Sequence, residues 1–179
     1  MKALVVIDMQ NDFIDGALGT PEAVAIVPNV KRKIEEYRER GEKIIFTRDT
    51  HFKQHYMHSL EGKHLPVEHC MAGTRGWQIP SDLTSYEDER INKYSFGYDQ
   101  WNLNWFRDDK HDIPDEIELV GLCTDICVIS NALILKAVLP QICNIEITVD
   151  ARCCAGTTPE NHKAALQVMK CCQINVIGE

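Results

Sequence analysis

Asp8, Lys93 and Cys127 lie far apart in this chain of 179 residues, yet between them they supply an acid/base, a cation and a nucleophile that one fold can bring together. Cys127 stands in LVGLCTDICVISNALILKA, in the first turn of a predicted helix, where unpaired backbone N–H groups and the helix dipole favour a thiolate. Gly121, Thr124 and Asp125 read as the tight turn and cap before it, leaving N–H groups near the sulfur that suit an oxyanion. Other readings stand beside these. A free cysteine is more often a small buried hydrophobe, and Cys123 is a rival nucleophile that precedes the helix. Asp8 reads equally as a turn cap and as a general base. An aspartyl-phosphate reading is weakened by Gln10, which stands where a second aspartate is wanted, and by the lack of a glycine-rich phosphate loop. Lys93, in RINKYSFGY, reads by itself as an ordinary solvated charge.

A second cluster lies in RDTHFKQHYMHSLEGKHLPVEHC, which holds five of the seven histidines together with Asp49 and Glu61. That donor set suits a divalent metal. Asp49 and His51, two residues apart at a strand end, can point to one side, and His69 after Pro66 closes the site. His55, His58 and His64 read as exposed loop histidines. The pair Cys123 and Cys127 is not a CxxC, and no second cysteine pair with zinc-finger spacing accompanies it.

These residues need a frame, and the chain alternates short apolar runs with longer helical patterns. That is the signature of an α/β fold, a mainly parallel sheet covered by helices in a single-domain three-layer α/β/α arrangement. ALVVID, KIIFTRD, IELVGL, IEITVD and INVI read as buried strands. PNVKRKIEEYRERG reads as a helix from Pro28, with Val30, Ile34 and Tyr37 on one face and Gly41 as its stop. Further helices are predicted from near Thr124 and near Thr158, the latter with Pro159 in its first position. Asp8 and Asp49 close strands and the GLCTDIC turn follows another, so all three fall at the carboxyl ends, where an open parallel sheet binds its ligands. From about Thr50 to about Ser85 no periodicity appears, which marks a functional loop, with a metal-binding region over about 48–85.

The formal net charge of −8, with acids and bases interspersed, argues against nucleic acid and against an anionic membrane surface as partners. A small molecule is the better partner. The apolar run in MKALVVIDMQ is too short for a signal peptide or a membrane span. The eight cysteines read as mostly buried thiols in a reducing cytoplasm.

VVIDMQNDF, RDTH with EGKHLPVEHC, NKYSFGY and GLCTDICV occur in that order. Together they resemble the cysteine amidohydrolases of the isochorismatase-like superfamily, and within it the nicotinamidase/pyrazinamidase group, over nearly the whole chain. The resemblance implies one Rossmann-like domain over 1–179 that converts nicotinamide to nicotinate and ammonia through a cysteine thioester, a step of NAD salvage and pyridine nucleotide biosynthesis. It makes Cys127 the nucleophile, Asp8 its base and Lys93 the cation. It places a cis peptide between Leu122 and Cys123, and an oxyanion hole at the N–H groups of Cys123 and Cys127. It puts zinc, iron or manganese on Asp49, His51 and His69, with Glu61, His55 or His58 in a variable fourth position. The metal would hold the ring nitrogen, with Phe13 and Leu122 as substrate-binding residues and Phe13 against the ring. Members of the fold often associate, which implies a homo-oligomer. One departure stands out: the stretch before the last metal histidine reads LPVEH, without the aromatic residue that several nicotinamidases place there, leaving Trp77, Tyr94, Phe96 or Tyr98 to substitute. Two alternatives remain, a hydrolase of another small amide such as a carbamoyl or ureido compound, and a non-catalytic binding subunit.

Overall fold

Aliphatic and β-branched runs without polar alternation make strands that must be covered on both faces. The structure is a computed structural model that describes residues 1–102, 113–139 and 143–179. It forms these runs into β1 (Lys2–Ile7), β2 (Lys43–Asp49), β3 (Glu89–Lys93), β4 (Glu116–Leu122), β5 (Glu146–Ala155) and β6 (Asn175–Ile177). They pair in the order β3-β2-β1-β4-β5-β6, every pair parallel. The helices of the described residues are α1 (Asn11–Ile14), α2 (Pro21–Glu39), α3 (Lys53–Tyr56), α4 (Leu60–His64), α5 (Ile129–Val138) and α6 (Pro159–Cys171). The layers are those expected.

Successive side chains on a strand face opposite ways, and β1 shows the division. Leu4 and Val6 pack beneath α2 with Val30, Ile34 and Tyr37, whereas Ala3, Val5 and Ile7 pack with Ala132 and Leu135 of α5 and Leu166 and Met169 of α6. Each large apolar side chain so buried contributes roughly 1.5–3 kcal/mol. The chain runs from β1 outward to β3 and then returns to the other side of β1 as β4. The sheet therefore changes direction between β1 and β4, and at such a switch point the carboxyl ends diverge into a crevice.

Two elements differ from the sequence reading. The first long helix begins at Pro21 rather than at Pro28. The Thr20 hydroxyl accepts from Ala23 N at 3.0 Å, Pro21 takes the first turn, and Pro28 sits on the exposed face of the continuing helix. Two prolines seven residues apart both satisfy the first-turn rule, and only the threonine cap separates them. The second is β3, which has no apolar run to announce it. Its sequence ERINK buries only Ile91 and Lys93, because the strand lies at the sheet edge.

Helix α2 also carries charge into the sheet. The Tyr37 hydroxyl donates to Glu118 at 2.6 Å, and Lys33 Nζ reaches Glu118 at 2.7 Å and Asp150 at 3.0 Å, tying α2 to β4 and β5. Glu118 and Asp150 are buried, and ionised groups are retained in such places only when paired. No helix among the described residues is long and apolar enough to cross a membrane.

Candidate active site

The carboxyl ends of β1, β3 and β4 bring Asp8, Lys93 and Cys127 together. Lys93 Nζ lies 2.6 Å from Asp8 Oδ2 and 3.5 Å from Cys127 Sγ, and it donates to Ser95 O at 3.1 Å. Asp8 is 0 % exposed, Lys93 1 % and Cys127 4 %. Of the two readings of Asp8, the carboxylate does not cap the following turn. Its Oδ1 accepts from Thr47 Oγ1 at 2.7 Å, and its Oδ2 faces Lys93 Nζ, which in turn reaches Cys127 Sγ. Asp8 has φ 47°, so the chain bends sharply where β1 ends.

Burial raises Asp8 above the ordinary carboxylate range, with Lys93 pulling it back and Asp49 adding to the rise. Burial opposes the charge on Lys93, but Asp8, Cys127 and Asp49 outweigh it and raise its pKa well above the usual lysine value. Burial pushes the Cys127 thiol well up against the pull of Lys93, and the Asp8 and Asp49 carboxylates push it further. Asp8 stands next to the sulfur across the Lys93 ammonium, which is the place for a candidate base. Cys123, half-buried on the same cavity, is pushed up to about 12 by burial and by Asp125 and Asp8, and it lies outside the ion cluster.

The turn that carries Cys127 is a π turn over Thr124–Val128 that runs into α5. It follows a cis peptide between Leu122 and Cys123. Gly121 just before it has φ +119°, and a Cβ there would lie 2.1 Å from Ile7 O, so only glycine lets β4 come this close to β1. Thr124 and Asp125 do not cap the helix as read from sequence. The Thr124 hydroxyl pairs with His162 Nδ1 at 2.8 Å, while the Asp125 carboxylate accepts from Thr157 N at 2.8 Å and from the Thr157 hydroxyl. Both residues face α6 and anchor the turn to it.

Beside this cluster stand Asp49, His51, Glu61 and His69, with one donor atom from each lying within 4.8 Å of the others. His51 Nε2 is 3.0 Å from Asp49 Oδ2 and 3.5 Å from Glu61 Oε1, and His69 Nε2 is 3.8 Å and 3.5 Å from the same two atoms. His69 Nδ1 lies 2.9 Å from Val67 O, which fixes the proton there and turns Nε2 inward. Burial opposes a charge on His51, but Asp49 and Glu61 lift its pKa to about 9; burial likewise opposes the Glu61 carboxylate, but His51 and His69 draw it to about 2. Two imidazoles and two carboxylates converging in a half-buried place fit a divalent ion. His55 and His58 are exposed and outside this group, whose fourth member is Glu61.

Several positioning residues escaped the sequence reading. Gln10, wholly buried, takes Asp49 N on its carbonyl oxygen at 2.7 Å and donates to Asp49 O and Trp77 O, each at 2.9 Å. Asn11 donates to Arg75 O and Gln78 O, and Asp12 accepts from Cys70 N at 2.8 Å, the residue after His69. The run QNDF thus clamps the metal loop to the end of β1. Its one signal in the sequence is a stretch of amides and acid directly after a buried strand.

Both clusters open on a cavity of about 900 Å³ whose lining includes Phe13, Leu60, Leu65, Tyr94, Phe96 and Ile126. Phe13 also packs against His69, with ring centres 5.5 Å apart. Leu122 is fully buried on the α2 side and is not among the lining residues. Of the four aromatic substitutes, Tyr94 and Phe96 line the cavity. Trp77 instead lies under the Arg48 guanidinium and donates to Thr50 Oγ1, and Tyr98 packs edge-on against Trp101.

Residues 2–178 match the Isochorismatase domain family. The chain belongs to this family. Among characterised isochorismatase-domain relatives, the nicotinamidase of Escherichia coli is 31 % identical over 71 % of this chain and 72 % of its own. A plant relative from Arabidopsis thaliana, described as a probable inactive nicotinamidase, is 32 % identical over 94 % of this chain and 87 % of its own. The crystal structure of Pyrococcus horikoshii pyrazinamidase in complex with zinc superposes with a TM-score of 0.80 at 26 % identity, covering 99 % of both chains. N-carbamoylsarcosine amidase from Thermoplasma acidophilum superposes with a TM-score of 0.78 at 25 % identity, covering 98 % of this chain and 94 % of that one.

Proposed function

We propose that this isochorismatase-family hydrolase is a metal-assisted amidase that cleaves nicotinamide to nicotinate and ammonia. One observation carries the reading. Lys93 Nζ lies within 2.6 Å of Asp8 and 3.5 Å of Cys127 Sγ, on a cavity that also holds the converged donors Asp49, Glu61 and His69.

Asp8 takes the proton of Cys127 as the sulfur attacks the amide carbon, and Lys93 balances the charge that the pair would otherwise leave buried. The carbonyl oxygen becomes an oxyanion against the N–H groups of Cys123 and Cys127 at the start of the helix. The C–N bond then breaks, Asp8 returns its proton to the departing nitrogen, and ammonia leaves a thioester on Cys127. Water attacks that thioester with Asp8 again as base, releasing the acid and restoring the thiol. Asp49, His51, Glu61 and His69 would hold a divalent ion, zinc, iron or manganese. Such an ion supplies a Lewis acid for the ring nitrogen. Phe13 packs on the ring and, with the donors, orients the carboxamide toward the sulfur.

A second reading, hydrolysis of a carbamoyl or ureido compound, draws support from the likeness to N-carbamoylsarcosine amidase. The cavity favours an uncharged amide. Among the described residues its lining carries the Asp49 and Glu61 carboxylates and no lysine or arginine, so a carboxylate on the substrate would meet no side-chain cation there and could only compete for the ion itself. Ammonia release from nicotinamide, pyrazinamide, a neutral ureido compound and N-carbamoylglycine, with wild type and Cys127→Ala, tests the assignment. The expected result is turnover of the two aromatic amides and none by Cys127→Ala. Turnover of N-carbamoylglycine alone would transfer the assignment to the second reading, and no turnover of any amide would make the chain a non-catalytic relative.

A further inference from the structure

Tyr56 lies in the histidine-rich loop, yet it is only 2 % exposed, and its side chain touches two of the candidate metal donors. Its ring meets His51 edge-on at 4.8 Å and His69 at 5.2 Å, with interplanar angles of 60° and 86°. Its hydroxyl donates to Leu65 O at 2.7 Å, just past the end of α4. Its carbonyl accepts from Ser59 Oγ at 2.6 Å and from Ser59 N at 2.9 Å, just before α4 begins, and Ser59 Oγ accepts in turn from Gly62 N at 2.9 Å. One residue thus grips both ends of the turn that carries Glu61. Gly62 is the complement: a Cβ there would lie 2.1 Å from Tyr56 O and 2.8 Å from its carbonyl carbon. Helix α4 has five residues, too few to be stable alone, so an outside hold must set its place.

We propose that Tyr56 is the positioning residue of the metal centre, with Gly62 as the residue that lets α4 close onto it. Tyr56 sets Glu61 Oε1 at 3.5 Å from both imidazole nitrogens while its ring braces those imidazoles from behind. A phenylalanine fills nearly the same volume, but it cannot bond Leu65 O, and α4 then carries Glu61 out of reach. The inference rests on the reading that the four donors bind a divalent ion.

The test uses full-length protein stripped of metal, titrated with zinc and with cobalt against a competing chelator, for wild type, Tyr56→Phe, Gly62→Ala and Glu61→Gln. Loss of a residue that orients metal ligands costs about 10–100-fold in affinity. Tyr56→Phe is expected to weaken both ions at least tenfold and to shift the visible spectrum of the cobalt form toward that of Glu61→Gln. Gly62→Ala is expected to do the same more strongly. The melting temperature and far-ultraviolet circular dichroism of the metal-free forms report the fold separately. Wild-type affinity and spectrum in Tyr56→Phe would overturn the positioning role while leaving the metal reading intact, and so would a lowered melting temperature with unchanged affinity. Failure of wild type to bind either ion would remove the metal reading itself. If Gly62→Ala does not fold, Tyr56→Phe still decides.

Discussion

The buried group of Asp8, Lys93 and Cys127 is balanced only while all three are present, which makes its variants unequal. Asp8→Asn keeps the shape but removes the proposed base, so kcat for ammonia release is expected to fall about 10²–10⁴-fold, with a lowered melting temperature because Lys93 loses its nearest counterion. Lys93→Met leaves a buried carboxylate without its cation, so it should also lose about 3–5 kcal/mol of stability, read by urea titration; an unchanged midpoint would mean that Asp8 is neutral at rest. The sequence displays these residues to different degrees. Asp8 and Cys127 are legible because a strand end and a helix start can be read from local pattern. Lys93 is not, since burial of a lysine depends on two other strands arriving beside it, and nothing within RINKYSFGY records that. Glu61 is likewise hidden among equally plausible histidines, because which of them faces Asp49 is decided by the fold of one short turn.

The elements transmit their own constraints to the site. His162 of α6 and Thr157 just before that helix hold the turn that carries Cys127, so His162→Ala leaves the buried Thr124 hydroxyl without its partner. It should cost about 1–3 kcal/mol, visible as a lowered melting temperature together with a lower kcat; a full kcat would show that the turn holds its shape unaided. On the opposite face, burial works against the Asp150 carboxylate, but Arg152 and Lys33 overcome it and hold its pKa below the usual value. A carboxyl lowered by folding adds stability that is present above the unfolded pKa and is lost as pH falls through the folded one. Asp150→Asn should therefore flatten the acid side of the stability curve below about pH 4, measured by denaturant titration across pH 2–7. Pro28 interrupts α2 on an exposed face, and Pro28→Ala should stabilise the protein by about 1–3 kcal/mol, read as a raised melting temperature. The misplaced start of α2 and the unread β3 share a cause. Local rules recognise a proline or an apolar run, whereas caps and edge strands take their meaning from neighbours.

For the molecule as a whole, charge and topology set what remains. The formal net charge of −8 repels anions, and screening would relieve that repulsion. An uncharged amide is indifferent to it, so kcat/KM for nicotinamide should stay flat between low and moderate salt while that for the anionic N-carbamoylglycine rises; a comparable salt dependence for both would sink this electrostatic account. Most of the layered fold is legible because periodicity survives in isolated segments, while the strand order is not, being a property of pairs. That order has a consequence for synthesis. β1 is paired on one side by β2 and on the other by β4, whose register with Lys2–Ile7 begins at Glu116. A ribosome releasing the chain from its N-terminus delivers Asp8 and Lys93 long before Cys127, so the nascent half carries an acid and a base with no sulfur to activate. The candidate site can assemble only once β4 and the turn after it have emerged, and until then β1 presents an open flank on which a chaperone, or another nascent chain, can settle.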